Sequence, residues 1–165
     1  MEEKPLKITL SQFPSMRVAC YTAQGGDNPE VEAWAIMGGW AAEHIQTGQL
    51  DPAQMRCFGY FHTPAQNNSK TDTYTVMVTV PNFLEESGSI QIKNTAAFSC
   101  LTAQCDFNDA DLQHCRALLR GFAEKKGVET TFLYPIEEHV IQPDGSYFHV
   151  ILPVIKPGES LFLEP

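Results

Sequence analysis

The sequence predicts an α+β fold in which duplicated strand-helix-strand-strand units form a curved antiparallel sheet, with two main helices and a cleft between the halves. Three observations predict it. An ungapped shift of eighty positions lays Val18-Ala19-Cys20-Tyr21-Thr22-Ala23-Gln24 on Phe98-Ser99-Cys100-Leu101-Thr102-Ala103-Gln104. The same shift lays Asn28, at the start of one helical pattern, on Asn108, at the start of another. Farther along, the stretch from Tyr74 to Pro81 is echoed from Tyr147 to Pro153. A repeated unit too small to bury its own apolar face must pack against its copy, and the junction between copies is a natural ligand cleft. The expected boundaries are a first repeat over about 6–81, a linker over 82–88, a second repeat over about 89–155 and a tail over 156–165.

Ile8 to Gln12 and Arg17 to Gln24 alternate as strands do, with Phe13-Pro14-Ser15 as a break. Asn28 then supplies a cap and Pro29 takes the first helical position, where its missing N–H costs nothing. Val31, Trp34, Ala35, Gly38, Ala41, Ala42 and Ile45 fall at helical spacing, which predicts the buried stripe. Gly38-Gly39 inside this helix carries a propensity cost of about 1 kcal/mol per glycine, so a close approach of backbone or ligand is one explanation and a kink the other.

Arg56 to His62 reads as a strand, residues 63–72 as a polar loop, and Thr73 to Val80 as a second strand whose Tyr74, Val76, Val78 and Val80 share the core face. In the second half, Ser89 to Lys93 and Ala96 to Gln104 are strands. Asn108 caps a helix with the stripe Leu112, Cys115, Leu118, Leu119 and Phe122, and Gly127 stops it after Lys125 and Lys126. Thr130 to Ile141 and Ser146 to Ile155 then pair as a hairpin across Gln142-Pro143-Asp144-Gly145.

At 165 residues and 43% hydrophobic content the chain fits one domain with a substantial core. Eleven basic against twenty acidic side chains give a formal charge of −9, which repels phosphate backbones and anionic membrane surfaces. The expectation is therefore no direct nucleic-acid binding and no membrane association. The first residues lack the apolar core of a signal peptide, and a cytoplasmic location is expected. Five cysteines without a Cys-x-x-Cys pair read as reduced thiols, and five scattered histidines give no metal-ligand spacing. Neither a metal nor a cofactor is expected.

The sharpest chemical signal is Tyr134-Pro135-Ile136-Glu137-Glu138-His139, two adjacent carboxylates in a strand-like stretch. Alternation sends Glu137 and His139 to one face and Glu138 to the other. A partly buried carboxylate binds a cation, accepts hydrogen bonds or acts as a base. The alternative is an edge strand with both carboxylates in water. Aromatic residues collect around the proposed seam: Trp40, Phe58, Tyr60, Phe122, Tyr134 and Tyr147, with His62 as a polar neighbour. They suit flat or cationic organic molecules. Trp34, on the helical stripe, is expected in the core, whereas Trp40 beside Gly38-Gly39 is the better pocket candidate. No Gly-x-Ser-x-Gly elbow, phosphate loop or dinucleotide fingerprint is present.

This arrangement resembles the GyrI-like small-molecule-binding family, which also supplies effector-binding domains of AraC-type and MerR-type regulators. The resemblance runs from about Ile8 to Ile155. Phe58-Gly59-Tyr60-Phe61-His62-Thr63-Pro64 looks like the family's glycine-aromatic segment, and Glu137-Glu138-His139-Val140-Ile141-Gln142-Pro143 looks like its Glu-x-Tyr segment. The resemblance implies that Glu137 is the pocket glutamate of a stand-alone binding protein for a hydrophobic or cationic molecule, stacked by Trp40, Tyr60 and Tyr147. His139 stands where tyrosine is common and Phe122 near a frequent tryptophan, which alters pocket polarity. Two further functions follow from the same resemblance. One is a hydrolase of electrophilic natural products with Glu137 as base and His139 or Tyr147 as acid. The other is a protein-interaction module with DNA gyrase as the partner, by analogy with the family's namesake.

Overall fold

The computed structural model describes residues 7–25, 28–62, 73–130, 135–156 and 158–163. Within them the chain forms β1 (Thr9–Phe13), β2 (Arg17–Gln24), α1 (Pro29–Gln46), β3 (Cys57–Phe61) and β4 (Thr73–Thr79). The second half forms β5 (Gln91–Asn94), β6 (Phe98–Asp106), α2 (Asp109–Lys125), β7 (Ile136–Val140) and β8 (Tyr147–Pro153). The eight strands make one antiparallel sheet in the order β1-β6-β8-β7-β3-β4-β2-β5. Each half is a strand-helix-strand-strand unit preceded by one short strand, and β3 pairs with β7 where the halves meet, with Gly59 opposite Glu137. No helix among the described residues is long and apolar enough to cross a membrane.

The duplication extends to an exchange of arms. β1 leaves its own half to pair with β6, where Ser11 lies opposite Cys100, and β5 pairs with β2, where Gln91 lies opposite Cys20. The eighty-residue offset relates both partners of one pair to both partners of the other. Each half therefore caps the open edge of the other, satisfying backbone groups that would otherwise stay unpaired.

Both helices start as their sequences dictate. The Asn28 side chain accepts from the Val31 N–H at 3.2 Å and the Asn108 side chain from the Asp111 N–H at 2.9 Å. Caps of this kind contribute about 1 kcal/mol each. Gly127 ends α2 at φ +68°, and the Val128 N–H closes back on the Ala123 carbonyl.

The buried stripe of α1 differs from the predicted one. Ala33, Met37, Trp40 and Ala41 face the sheet, while Val31 is 62% exposed. Apolar residues surround this helix on every side, so periodicity alone does not single out one face. Gly38 and Gly39 face open space, with nothing within 4 Å of an added Cβ, so no close approach by the described residues of the chain accounts for them. On α2 Leu112, Cys115 and Leu119 are buried as predicted, whereas Leu118 is exposed, Phe122 is only partly buried and Ala123 joins the stripe.

Three cores result. One lies under α1 against Val76 and Val78, and a second under α2 against Ala103, Val150 and Leu152. The third, with Phe58, Met77, Phe98 and Ile151, occupies the opposite sheet face and includes Leu161 of the tail. Tyr74, Val76 and Val78 meet the core as their alternation predicts, but Met77 on the other face is buried as well. Across the sheet Val76, Gly59, Glu137 and Val150 are successive partners, so they share the helix-bearing face.

Candidate ligand site at the seam

α1 packs on β2 and β4, and α2 on β6 and β8, leaving β3 and β7 as the floor between the helices. Glu137 stands on that floor and is 1% exposed. Arg116, one turn before Leu119 on α2, forms a salt bridge with its Oε1. A buried carboxylate is tolerable only when it is paired and hydrogen-bonded, and the guanidinium supplies both.

Aromatic rings cross the same strip. A Cβ on Gly59 would collide with the Tyr74 hydroxyl, lie 2.7 Å from its Cζ and stand 3.0 Å from the Trp34 Cζ2. Glycine at this position lets both side chains close onto the strand. The Trp34 indole N–H donates to the Tyr74 hydroxyl at 3.3 Å. The His139 ring lies 4.7 Å from Trp34 and 5.1 Å from Phe148, edge-on to the latter, and Phe107 stacks on Phe148 at 4.4 Å. The series Tyr74, Trp34, His139, Phe148, Phe107 thus spans the seam from one half to the other. Burial pushes the His139 imidazole below its ordinary value, and its Nε2 is buried without a hydrogen-bond partner. A neutral imidazole with one unsatisfied nitrogen therefore sits among the rings.

Glu138 points to the other face, as alternation predicts. Its carboxylate accepts from Arg56 Nε at 2.7 Å and Nη2 at 3.0 Å and lies 3.2 Å from His149 Nδ1. Burial opposes ionisation, but the hydrogen bonds and charges of His149 and Arg56 outweigh it and hold the carboxyl at about 2. Neither glutamate is in water, so the edge-strand alternative does not hold.

The predicted aromatic set divides. Trp40 is buried in the α1 core and donates to Ser87 Oγ at 2.9 Å, whereas Trp34 lies at the seam, the reverse of the sequence expectation. The rotated α1 stripe is the cause. Phe58, Tyr60 and His62 alternate away from Gly59 and so lie on the sheet face opposite Glu137. Tyr147 likewise alternates away from Phe148 and Val150, which removes it as an acid partner for Glu137. Phe122 packs at the margin of the α2 core near Lys126. Tyr134 lies outside the described residues. Of the sequence candidates, Glu137 and His139 come together at the seam. Arg116, Phe107 and Phe148 were not anticipated there, although an arginine on the apolar stripe of α2 is a signal for a buried acidic partner.

No protein-family model and no curated protein matches the sequence. Solved structures do match in fold. The EcmrR C-terminal domain superposes with a TM-score of 0.69 at 14% identity, over 90% of this chain and 96% of that one. EcmrR in its DNA complex gives 0.71 at 15% identity, over 90% of this chain and 57% of that chain. A hydrolase from Listeria innocua gives 0.57 at 11% identity, over 89% of this chain and 91% of that one. The architecture described above is therefore similar in fold to the EcmrR C-terminal domain.

Proposed function

We propose that the chain is a small-molecule-binding protein whose ligand enters the seam between α1 and α2. The observation that carries this reading is the combination on one strip of a buried Glu137–Arg116 ion pair with the rings of Trp34, His139, Phe148 and Phe107. Aromatic faces favour planar and cationic organic molecules. A ligand cation would compete with Arg116 for the Glu137 carboxylate, so opening the seam is coupled to exchange of one positive charge for another. The fold shared with the EcmrR C-terminal domain supports an effector-binding role. Calorimetric titration with acridine orange and with the neutral acridone tests the charge assignment. Glu137→Gln should weaken the dye far more than acridone, and equal weakening of both would defeat it.

A second reading, hydrolysis of an electrophilic small molecule, is favoured by His139, whose unpartnered Nε2 stands beside Trp34 on the same face as Glu137. In this reading Glu137 positions or deprotonates water once Arg116 is displaced, and His139 handles the leaving group's proton. Turnover lost in Glu137→Gln with binding retained would favour it over sequestration.

A further inference from the structure

A cavity of about 450 Å³ lies on the sheet face opposite Glu137, at the edge completed by the exchanged strand β5. Its floor includes Cys20, Tyr60 and Thr75, and Lys93, Leu161 and Phe162 contribute its walls. The volume falls in the range of small-ligand sites.

Its chemistry differs from that of the rest of the chain. The protein carries twenty acidic side chains, yet among the described residues lining this cavity there is no carboxylate and there is one lysine. The potential negative groups are also neutral. Burial pushes the Cys20 thiol up to about 12, and burial likewise raises the Tyr60 phenol. The hydroxyl of Thr75 is fully engaged. It lies 2.7 Å from Thr22 Oγ1 and 2.5 Å from His62 Nε2, and it also bonds the Tyr60 side chain. A hydroxyl has one proton and two lone pairs, so three partners use all of its capacity. Polar recognition of a ligand therefore falls to the Lys93 side of the cavity. There the Lys93 ammonium stands 4.9 Å from the centre of the Phe162 ring.

We propose that this cavity is a second ligand site, distinct from the seam, and that it takes a small aromatic or aliphatic carboxylate. The carboxylate sits against Lys93, and the apolar body of the ligand lies along Phe162 and Leu161. A cationic ligand meets no acceptor charge among the described lining residues, and a neutral one forgoes the ammonium. The exchange of arms gives the site its position, because β5 brings Gln91 and Lys93 of the second half alongside Cys20 and Val18 of the first.

Amide chemical-shift titrations of the full chain with benzoate, benzyl alcohol and benzylamine test the proposal. Benzoate should produce saturable shifts at Thr22, Thr75, Lys93 and Phe162, and benzylamine none. Lys93 is an exposed position on an edge strand, so Lys93→Met should fold normally while losing about tenfold or more in benzoate affinity, the loss expected for a charge-assisted contact. Lys93→Arg should retain binding, and Glu137→Gln should leave it unchanged. Absence of saturable benzoate shifts at the cavity, wild-type affinity in Lys93→Met, or shifts confined to Trp34 and His139 would each overturn it.

Discussion

Arg116 on α2 is ion-paired with Glu137 on β7, and both side chains are almost wholly removed from solvent. The pair fastens the second helix to the strand that joins the halves. It also places a balanced pair of buried charges on the floor between the helices.

Removing one member should therefore be costly. Arg116→Met leaves an uncompensated buried carboxylate and should destabilise the fold by about 3–5 kcal/mol, whereas Arg116→Met with Glu137→Met should recover most of that loss. Urea unfolding midpoints of the single and double variants check this. A single variant within about 1 kcal/mol of wild type would contradict a buried pair.

Gly59 should not accept a side chain. Gly59→Ala forces Tyr74 and Trp34 off the strand, and because Tyr74 is fully buried the expected loss is about 1–3 kcal/mol, the usual cost of overpacking. Thermal unfolding measures the loss, and the Trp34 indole resonance should shift with it.

Acid should weaken the fold through Glu138. Its folded carboxyl titrates at about 2, below the ordinary 4.5, so its stabilisation is complete above 4.5 and is lost as pH falls toward 2. Arg56→Met removes one of the groups holding the value down, so the variant should be less stable at pH 7 and should lose less on acidification. Denaturation curves at pH 7 and pH 3 decide it; parallel losses in both proteins would refute the assignment.

His139 should remain neutral below pH 6.5. Burial lowers its folded value, so the unfolded chain binds the proton more readily and stability falls as pH drops from about 6.5 toward the lower folded value. Ring-nitrogen shifts across a pH series should show a depressed midpoint, and an ordinary one would place the ring in water.

The order of elements was legible because strand alternation and the two asparagine caps are local signals. Glu137 and Glu138 could be assigned to opposite faces for the same reason. The sequence does not distinguish the places of Trp34 and Trp40, because apolar residues fall on several sides of α1 and only the sheet chooses its buried face. Aromatic composition does not report which side of a strand is shared across a sheet, so the sequence alone does not separate Phe58, Tyr60 and Tyr147 from Glu137. Gly59 opposite Glu137 is a register relation between the halves, and no local pattern encodes it.

The two tryptophans provide the most direct test of ligand entry at the seam, since Trp34 belongs to the ring series there and Trp40 is bonded to Ser87 inside the α1 core. Their two indole N–H resonances can be followed during titration with acridine orange and assigned with Trp40→Phe. The account predicts a saturable movement of the Trp34 signal, with Trp40 unmoved and the response lost in Glu137→Gln. Saturable dye binding that leaves Trp34 where it began would contradict it.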